Sequence, residues 1–339
     1  MGSSKSGAAA ANVFLLALSV VAGLVAVQCA NRPAPGTGAR TAPQLCGSGA
    51  AQLSHRFGQV RGFITYSDGA EIWAVDPNQT ANRISLGLSN GSSPIVWSQD
   101  GNRLLLRTAG INSFNGDLCV VNADGSHSWL TSDGQSGDGS FSPDGTKVVF
   151  ERIDRGLFVV DAKGGSPRLI ARSYGAWWLE SPAWSPDGSR IAYMVYQEGG
   201  PEGLTYQIWT MNPDGTNPRP LVDLGECGGG GCSGGLAWSP DGSMLAFHSM
   251  RDNPSTRTRA VYVVRADGRA LHLVNDGGFQ PAWSPDGTRV AFFRLDPLYA
   301  LVRLYTAAPD GSDARQVEGV VVVQRYGLGS PSVAWNPAA

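Results

Sequence analysis

The sequence predicts an all-β chain, a six-bladed β-propeller with four-stranded blades, its ring closed by a composite blade from both chain ends. Three observations predict it. The string Trp-Ser-Pro-Asp-Gly, or a near copy, recurs at 97–101, 141–145, 184–188, 238–242 and 283–287, and a truncated copy, Ala334-Trp335-Asn336-Pro337, ends the chain. The copies are spaced by about 43 to 54 residues, the length of one blade of four short strands. Finally, residues 61–86 supply three strands but no Trp-Ser strand, and the segment Ser332-Val333-Ala334-Trp335-Asn336 is that missing strand. Closing a ring in this way leaves no open blade.

Each repeat follows one grammar. A short strand ends in the aromatic-Ser pair, and Pro-Asp-Gly then turns the chain: Pro presets φ, Asp accepts hydrogen bonds from backbone amides, and Gly tolerates positive φ. An alternating strand follows, such as Arg190-Ile191-Ala192-Tyr193-Met194-Val195, then a loop of variable length and a third strand such as Gln207-Ile208-Trp209-Thr210-Met211. A second tight turn, Asn212-Pro213-Asp214-Gly215 in that repeat, leads to the outer strand. Period-two alternation bounded by Gly and Pro is the strand signature. The composition agrees: 45 glycines, 42% hydrophobic residues and only 16% charged ones suit many short strands joined by tight turns. A net charge of −2 provides no basic field, which argues against a nucleic-acid partner.

The domain reading is an export segment over 1–30, a Pro/Gly/Ala-rich tether over 31–60 and the propeller over 61–337. Residues 8–30 carry no charged side chain and follow Lys5, the pattern of a secretory signal. Three fates stay open: a lipoprotein signal with Cys29 lipidated, an uncleaved membrane anchor, or a cleaved signal. Each places the propeller outside the cytoplasm, in the periplasm or at the cell surface, touching the membrane only through its N-terminus.

The repeats resemble the PD40, or TolB-type, WD40-like repeat: aromatic-Ser-Pro-Asp-Gly, an apolar strand, and Asp-Gly before the outer strand. The resemblance covers roughly residues 61–337 and implies a periplasmic binding platform; TolB itself engages Pal, a peptidoglycan-associated lipoprotein. The family's separate α/β domain has no room in the segment between residue 30 and the first strand.

Candidate chemistry is sparse. Asp100, Asp144, Asp187, Asp241 and Asp286 invite a paired-carboxylate glycosidase reading, but they hold equivalent turn positions, where turn chemistry alone calls for them. His55, His127, His248 and His272 show no metal-ligand spacing. No Gly-x-Ser-x-Gly elbow is present. The chain therefore reads as a binding protein without cofactor or metal, and as a monomer. The alternative is a carbohydrate-binding or polysaccharide-lyase-like propeller, which would need a His and metal constellation in the channel.

Cys227 and Cys232 flank four glycines, and a local disulfide is expected there. Cys119 takes the third-strand slot that holds Trp73, Phe158, Trp209, Tyr262 and Tyr305 in the other repeats, which suggests a specific partner; Cys46 is available, and a buried unpaired thiol is the alternative. With both pairs assigned, Cys29 is the odd cysteine.

Binding is expected on the face opposite the tight turns, where the loops vary in length and sequence. Within that face Tyr174, Trp177, Trp178, Arg251, Arg325 and Tyr326 are the residue types enriched at interface hot spots, and they predict a protein partner at the cell envelope.

Overall fold

The structure is a computed structural model that describes residues 50–337, except 69–70, 89–94, 109–115, 154, 176, 201–202, 228–232, 253–257, 297–300 and 324–330. Six antiparallel four-stranded sheets form the six blades. Blade 1 contains Ile64–Ser67, Glu71–Asp76 and Gln79–Leu88, with Val333–Trp335 as its innermost strand. Blade 2 contains Ile95–Trp97, Arg103–Arg107, Leu118–Asn122 and His127–Trp129. Blade 3 contains Ser136–Phe141, Lys147–Arg152, Gly156–Asp161 and Arg168–Arg172. Blade 4 contains Trp177–Trp184, Ile191–Gly200, Gly203–Met211 and Arg219–Cys227. Blade 5 contains Ser233–Trp238, Met244–Ser249, Ala260–Arg265 and His272–Asp276, and blade 6 Gly278–Trp283, Val290–Asp296, Leu301–Ala307 and Arg315–Val323. The inner strands of successive blades touch all the way round, blade 1 included.

The composite closure is present in register: Ile64 pairs with Trp335, Thr65 with Ala334 and Tyr66 with Val333. The Trp335 indole donates to Gly62 O at 2.7 Å, and Asn336 N donates to Phe63 O at 2.9 Å, so the chain ends are tied by side chain and backbone alike.

The core is divided into six slabs, one in each seam between neighbouring blades. The seam of blades 3 and 4, for example, buries Val149, Leu157, Ile191, Tyr193 and Met211. The seam of blades 1 and 2 differs, because a helix, α1 (Ala50–Ser54), and a 3-10 turn (Phe57–Val60) pack into it. Ala50, Leu53, Phe57 and Val60 are all 2% exposed or less, so residues 50–60 belong to the folded unit and not to the tether expected over 31–60. Their spacing is helical, a signal masked by the Gly- and Pro-rich composition of the segment before them.

That helix also packs against the slot that Cys119 occupies. In blades 3, 5 and 6 an aromatic of the second strand stacks on one of the third: Phe150 on Phe158, Phe247 on Tyr262, Phe292 on Tyr305, with ring centroids 5.7–6.1 Å apart. In blade 2 the corresponding cross-strand pair is the smaller Leu106 and Cys119. Leu53 and Phe57 share one core cluster with that pair, and Phe57 meets Trp97 edge-on at 4.7 Å. Close packing leaves no space unfilled, so smaller residues in the blade are matched by apolar residues arriving from outside it.

Candidate functional site

A channel of about 480 Å³ runs along the propeller axis between the six inner strands. At its first mouth the repeated turns close on themselves. Ser142 Oγ donates to Asp144 Oδ1 at 2.5 Å, Thr146 N donates to the same oxygen at 3.0 Å, and Ser142 Oγ accepts from Lys147 N at 2.9 Å. Ser185–Asp187, Ser239–Asp241 and Ser284–Asp286 repeat the pattern, and Gln99 does not prevent Ser98–Asp100 from doing so. The Ser142 hydroxyl and Thr146 amide stabilise the charged form of Asp144 and hold its pKa down at about 2; the same causes bring Asp187 to about 2. These carboxylates are occupied in turns and do not converge as a catalytic pair would.

The turns also clip blade to blade. The ring of Pro143 packs beside Gly188 of the next blade, Pro186 beside Gly242, and Pro240 beside Gly287. Trp238 Nε1 donates to Ala183 O at 3.1 Å, and Trp283 Nε1 to Ala237 O at 3.0 Å, each reaching back to the preceding inner strand.

At the opposite, loop-bearing mouth the repetition stops. The residue ten positions after the turn aromatic is Arg107, Glu151, Met194, His248 and Phe293 in blades 2 to 6, and pairing with the last strand puts Ser67 at the same level in blade 1. All but Glu151 are at most 8% exposed. Beside them the inner strands of blades 3 to 6 carry β-bulges, which re-aim side chains locally. The bulges place Asp138, Ser181 and Gln280 on the channel wall, with Ser332 at the equivalent level of blade 1. Ser181 (φ 49°) and Gln280 (φ 54°) are held in the left-handed region there, a conformation that costs a non-glycine residue about 1 kcal/mol or more.

Size is matched across this level. A Cβ on Gly137 would lie 2.0 Å from Glu151 Oε1, and one on Gly234 would lie 3.2 Å from His248 Cε1, so both polar side chains occupy space that glycine leaves. Each then reaches the next blade: Glu151 Oε2 accepts from Ser181 N at 2.6 Å, and His248 Nδ1 accepts from Gln280 N at 3.4 Å.

The electrostatics are unusual on the blade 3–blade 4 side. Glu151 keeps some accessible surface but is surrounded closely by protein, as befits a group in a narrow channel. That desolvation, with the nearby Asp138 charge, pushes its pKa up to about 8 against the opposing Ser181 amide and Arg107. Desolvation, together with Glu151 and Asp138, raises Glu180 well above the usual carboxylate range. Asp138 itself is bridged by Arg107 Nη1 at 3.8 Å. On the far side of blade 4, burial, with help from Arg259, brings His248 down to about 3, so it is neutral.

The sequence-predicted residues are only partly gathered. Trp177 and Trp178 do not lie in a loop; they open the long inner strand of blade 4, whose flanking strands extend with it. Tyr174 and Trp177 exchange backbone hydrogen bonds at 2.8 and 3.2 Å across a tight turn. Tyr174 is 68% exposed and Trp177 39%. Trp178 stacks on Tyr196 at 4.9 Å, and Tyr196 on Tyr206 at 5.5 Å, a three-ring ladder across three strands. Tyr206 belongs to the core slab that also holds Tyr262, and the Arg251 guanidinium lies 6.0 Å from the Tyr262 ring. Trp178 and Arg251 thus flank the same seam, although Arg251 is engaged by Asp252 at 3.3 Å. Arg325 and Tyr326 lie outside the described residues, as do Cys29, Cys46 and Cys232. Cys227 closes the outer strand of blade 4. Cys119 is fully buried and disulfide-bonded. Sequence reading passed over Asp138, Glu151 and Glu180; the first two stand at levels where the repeats share no common residue.

No protein-family profile matches the chain. The Agrobacterium fabrum protein Atu1656, itself uncharacterized, is 28% identical over 190 residues, 54% of this chain and 58% of that protein. The Tol-Pal system protein TolB of Anaeromyxobacter dehalogenans is 32% identical over 126 residues, 36% of this chain and 25% of the relative. These matches leave much of each relative's own length unspanned. Among solved structures, a provisionally assigned TolB from Agrobacterium tumefaciens superposes with a TM-score of 0.59 at 20% identity, over 81% of this chain and 98% of the other. TolB from Acinetobacter baumannii gives the same TM-score at 17% identity, over 81% and 67%. With its repeated turn string and six four-stranded blades, the chain is a six-bladed β-propeller, similar in fold to these structures and, over about a third of its length, similar in sequence to TolB.

Proposed function

We propose that this propeller is an extracytoplasmic protein-binding scaffold without catalytic activity, tethered to the membrane through residues 8–30 and acting as a monomer. The observation that carries the reading is the aromatic end of blade 4, where Tyr174 and Trp177 are exposed and the adjacent Trp178 begins the Trp178–Tyr196–Tyr206 ladder on the other face of the sheet. Large aromatics with few rotatable bonds bury much area at little entropic cost, the property of interface anchors. The sequence likeness to Tol-Pal system proteins supports a partner of the same broad kind, a protein of the cell envelope.

The test is photo-crosslinking from a probe placed at Trp177 in the envelope fraction, followed by binding measurements with the crosslinked protein. Trp177→Ala with Trp178→Ala should weaken that complex by about 2–4 kcal/mol with the fold retained, whereas Thr146→Ala on the turn-bearing mouth should leave it unchanged. Absence of any crosslinked protein from the Trp177 probe, or a double variant that binds normally, would refute the reading.

A further inference from the structure

The core slab between blades 3 and 4 ends, on the loop-bearing side, in a rim of two arginines and two aromatics. Leu157, Ala171 and Leu179 share that slab, and their near neighbours in the chain, Arg155, Arg172 and Trp177, stand at its edge. Strand pairing fixes the arrangement. Gly156 lies opposite Arg172, and Ser173 N donates to Arg155 O at 3.2 Å, so the two arginines leave adjacent strand ends. Gly156 has φ 119°, and a Cβ there would lie 2.1 Å from Ala171 O; glycine is what lets those ends close. Tyr174 follows two residues after Arg172, and Trp177 projects on the same face of blade 4 as Leu179, the face toward blade 3. Arg155, Arg172, Tyr174 and Trp177 are all exposed.

The charge of this rim is unbalanced. Residues 152–172 carry five basic side chains against two acidic ones, in a chain whose net charge is −2. Other arginines on the loop-bearing side are neutralised: Arg152, Arg251 and Arg303 have carboxylate partners at 3.1, 3.3 and 4.0 Å. Among the described residues Arg155 and Arg172 make no ion pair, and neither do Lys163 and Arg168 further along the same blade. Arg168 and Arg172 begin and end the outer strand of blade 3, so the positive charge runs along a sheet edge.

We propose that this rim docks an acidic segment of the partner, whose carboxylates pair with Arg155 and Arg172 while an apolar side chain lies against Tyr174 and Trp177; this rests on the protein-binding function put forward above. Charge complementarity selects the occupant. Guanidinium forks take carboxylates in bidentate fashion, and exposed aromatic rings beside them take an apolar residue. The basic edge formed by Arg168 and Lys163 suits a run of acidic residues more than a single carboxylate. Because the chain as a whole is slightly negative, the attraction is local and acts within about 10 Å at moderate salt.

Fluorescence anisotropy of the whole chain with three dye-labelled, capped peptides tests the proposal; the peptides repeat Glu-Trp-Gly-Glu, Gln-Trp-Gly-Gln or Lys-Trp-Gly-Lys three times. The glutamate peptide should bind about tenfold more tightly than the glutamine one, and the lysine peptide not measurably. Its affinity should fall as salt rises from about 50 to about 300 mM. Arg155→Gln and Arg172→Gln should each weaken it about threefold, the size expected of an exposed ion pair, and together they should abolish the preference for glutamate over glutamine. Both side chains are exposed, so the variants should melt like the parent. Arg265→Gln, on the turn-bearing side of blade 5, should change nothing. Trp177→Ala should weaken the glutamate and glutamine peptides alike. If the arginine variants act and Trp177→Ala does not, acidic docking stands and the aromatic anchor falls; the reverse pattern keeps the anchor and overturns this proposal. Equal binding of the glutamate and glutamine peptides, no binding at millimolar concentration, or arginine-dependent binding of phosphatidylglycerol vesicles without binding of the glutamate peptide would also overturn it.

Discussion

At the turn-bearing mouth of the channel, Ser98, Ser142, Ser185, Ser239 and Ser284 each donate to an aspartate two residues on, at 2.5–2.6 Å. At the loop-bearing mouth, one position of the second strand holds Ser67, Arg107, Glu151, Met194, His248 and Phe293. All six blades share one four-stranded topology, so the shared topology did not impose the second set. The first mouth has to join each blade to the next, the same task five times over, and the same residues perform it. The second mouth has six different side chains at one level, five of them buried, so there each blade is packed in its own way.

The comparison can be broken first at the closure that both mouths depend on. Removing residues 332–339 takes the inner strand from blade 1, with the Trp335–Gly62 and Thr65–Ala334 hydrogen bonds. The expected loss is about 5 kcal/mol or more, comparable with the whole stability of a typical domain; circular dichroism should show no cooperative melt. A truncated chain that melts like the intact one would refute the composite blade.

Gly137→Ala probes the irregular mouth by sterics, since the new methyl would meet the Glu151 carboxyl. Overpacking of this kind costs about 1–3 kcal/mol, and the denaturation midpoint should recover in the Gly137→Ala, Glu151→Ala double variant. Additive losses would mean that the two residues do not share the space.

The pH dependence separates the mouths further. Glu151 is protonated in the fold up to about pH 8 and ionised in the unfolded chain above about 4.5, so the native state binds more protons between these values and stability falls as pH rises through them. Glu180 is raised for related reasons and adds in the same direction. His248 has the opposite sign: neutral in the fold down to about 3 but protonated in the unfolded chain below about 6.5, it lowers stability as pH drops through that window. Above pH 6.5 only the carboxyls act, and Glu151→Gln should raise the melting temperature at pH 8, by roughly 1–3 kcal/mol of stability, while changing it little at pH 5. An equal gain at both values would count against the raised carboxyl.

The smallest effect belongs to the regular mouth. Asp144→Ala and Asp187→Ala each remove one cap of the same design and should cost about 1 kcal/mol apiece. Their equality is the point: a much larger loss in one blade would show that the turns are not interchangeable.

Blade number, turn chemistry and ring closure were legible in the sequence because each is written several times over, and a repeated string such as Ser-Pro-Asp-Gly stands out against any background. Glu151 and Asp138 were not, because each occurs once and their meeting depends on a bulge between Ser136 and Gly139 that shifts the pairing register. Trp177 and Trp178 read as loop residues because two adjacent tryptophans break strand alternation; blade 4 accommodates them by extending its strands beyond the others, with Trp178 stacked inward and Trp177 partly exposed. The helix at 50–54 was hidden by the composition that precedes it, and only its helical spacing into the Cys119 seam could have revealed it.

The pairing of Ile64 with Trp335 also sets a timetable. Blades 2 to 6 each consist of consecutive strands and can form as the chain lengthens, but blade 1 waits for the last residues to arrive. Until then Ile64–Ser67 is an unpaired sheet edge, open to any other strand that reaches it first. The slowest and most exposed moment in the life of this propeller should therefore fall just before its final strand docks, and conditions that prolong that interval should promote aggregation even where the finished ring is stable.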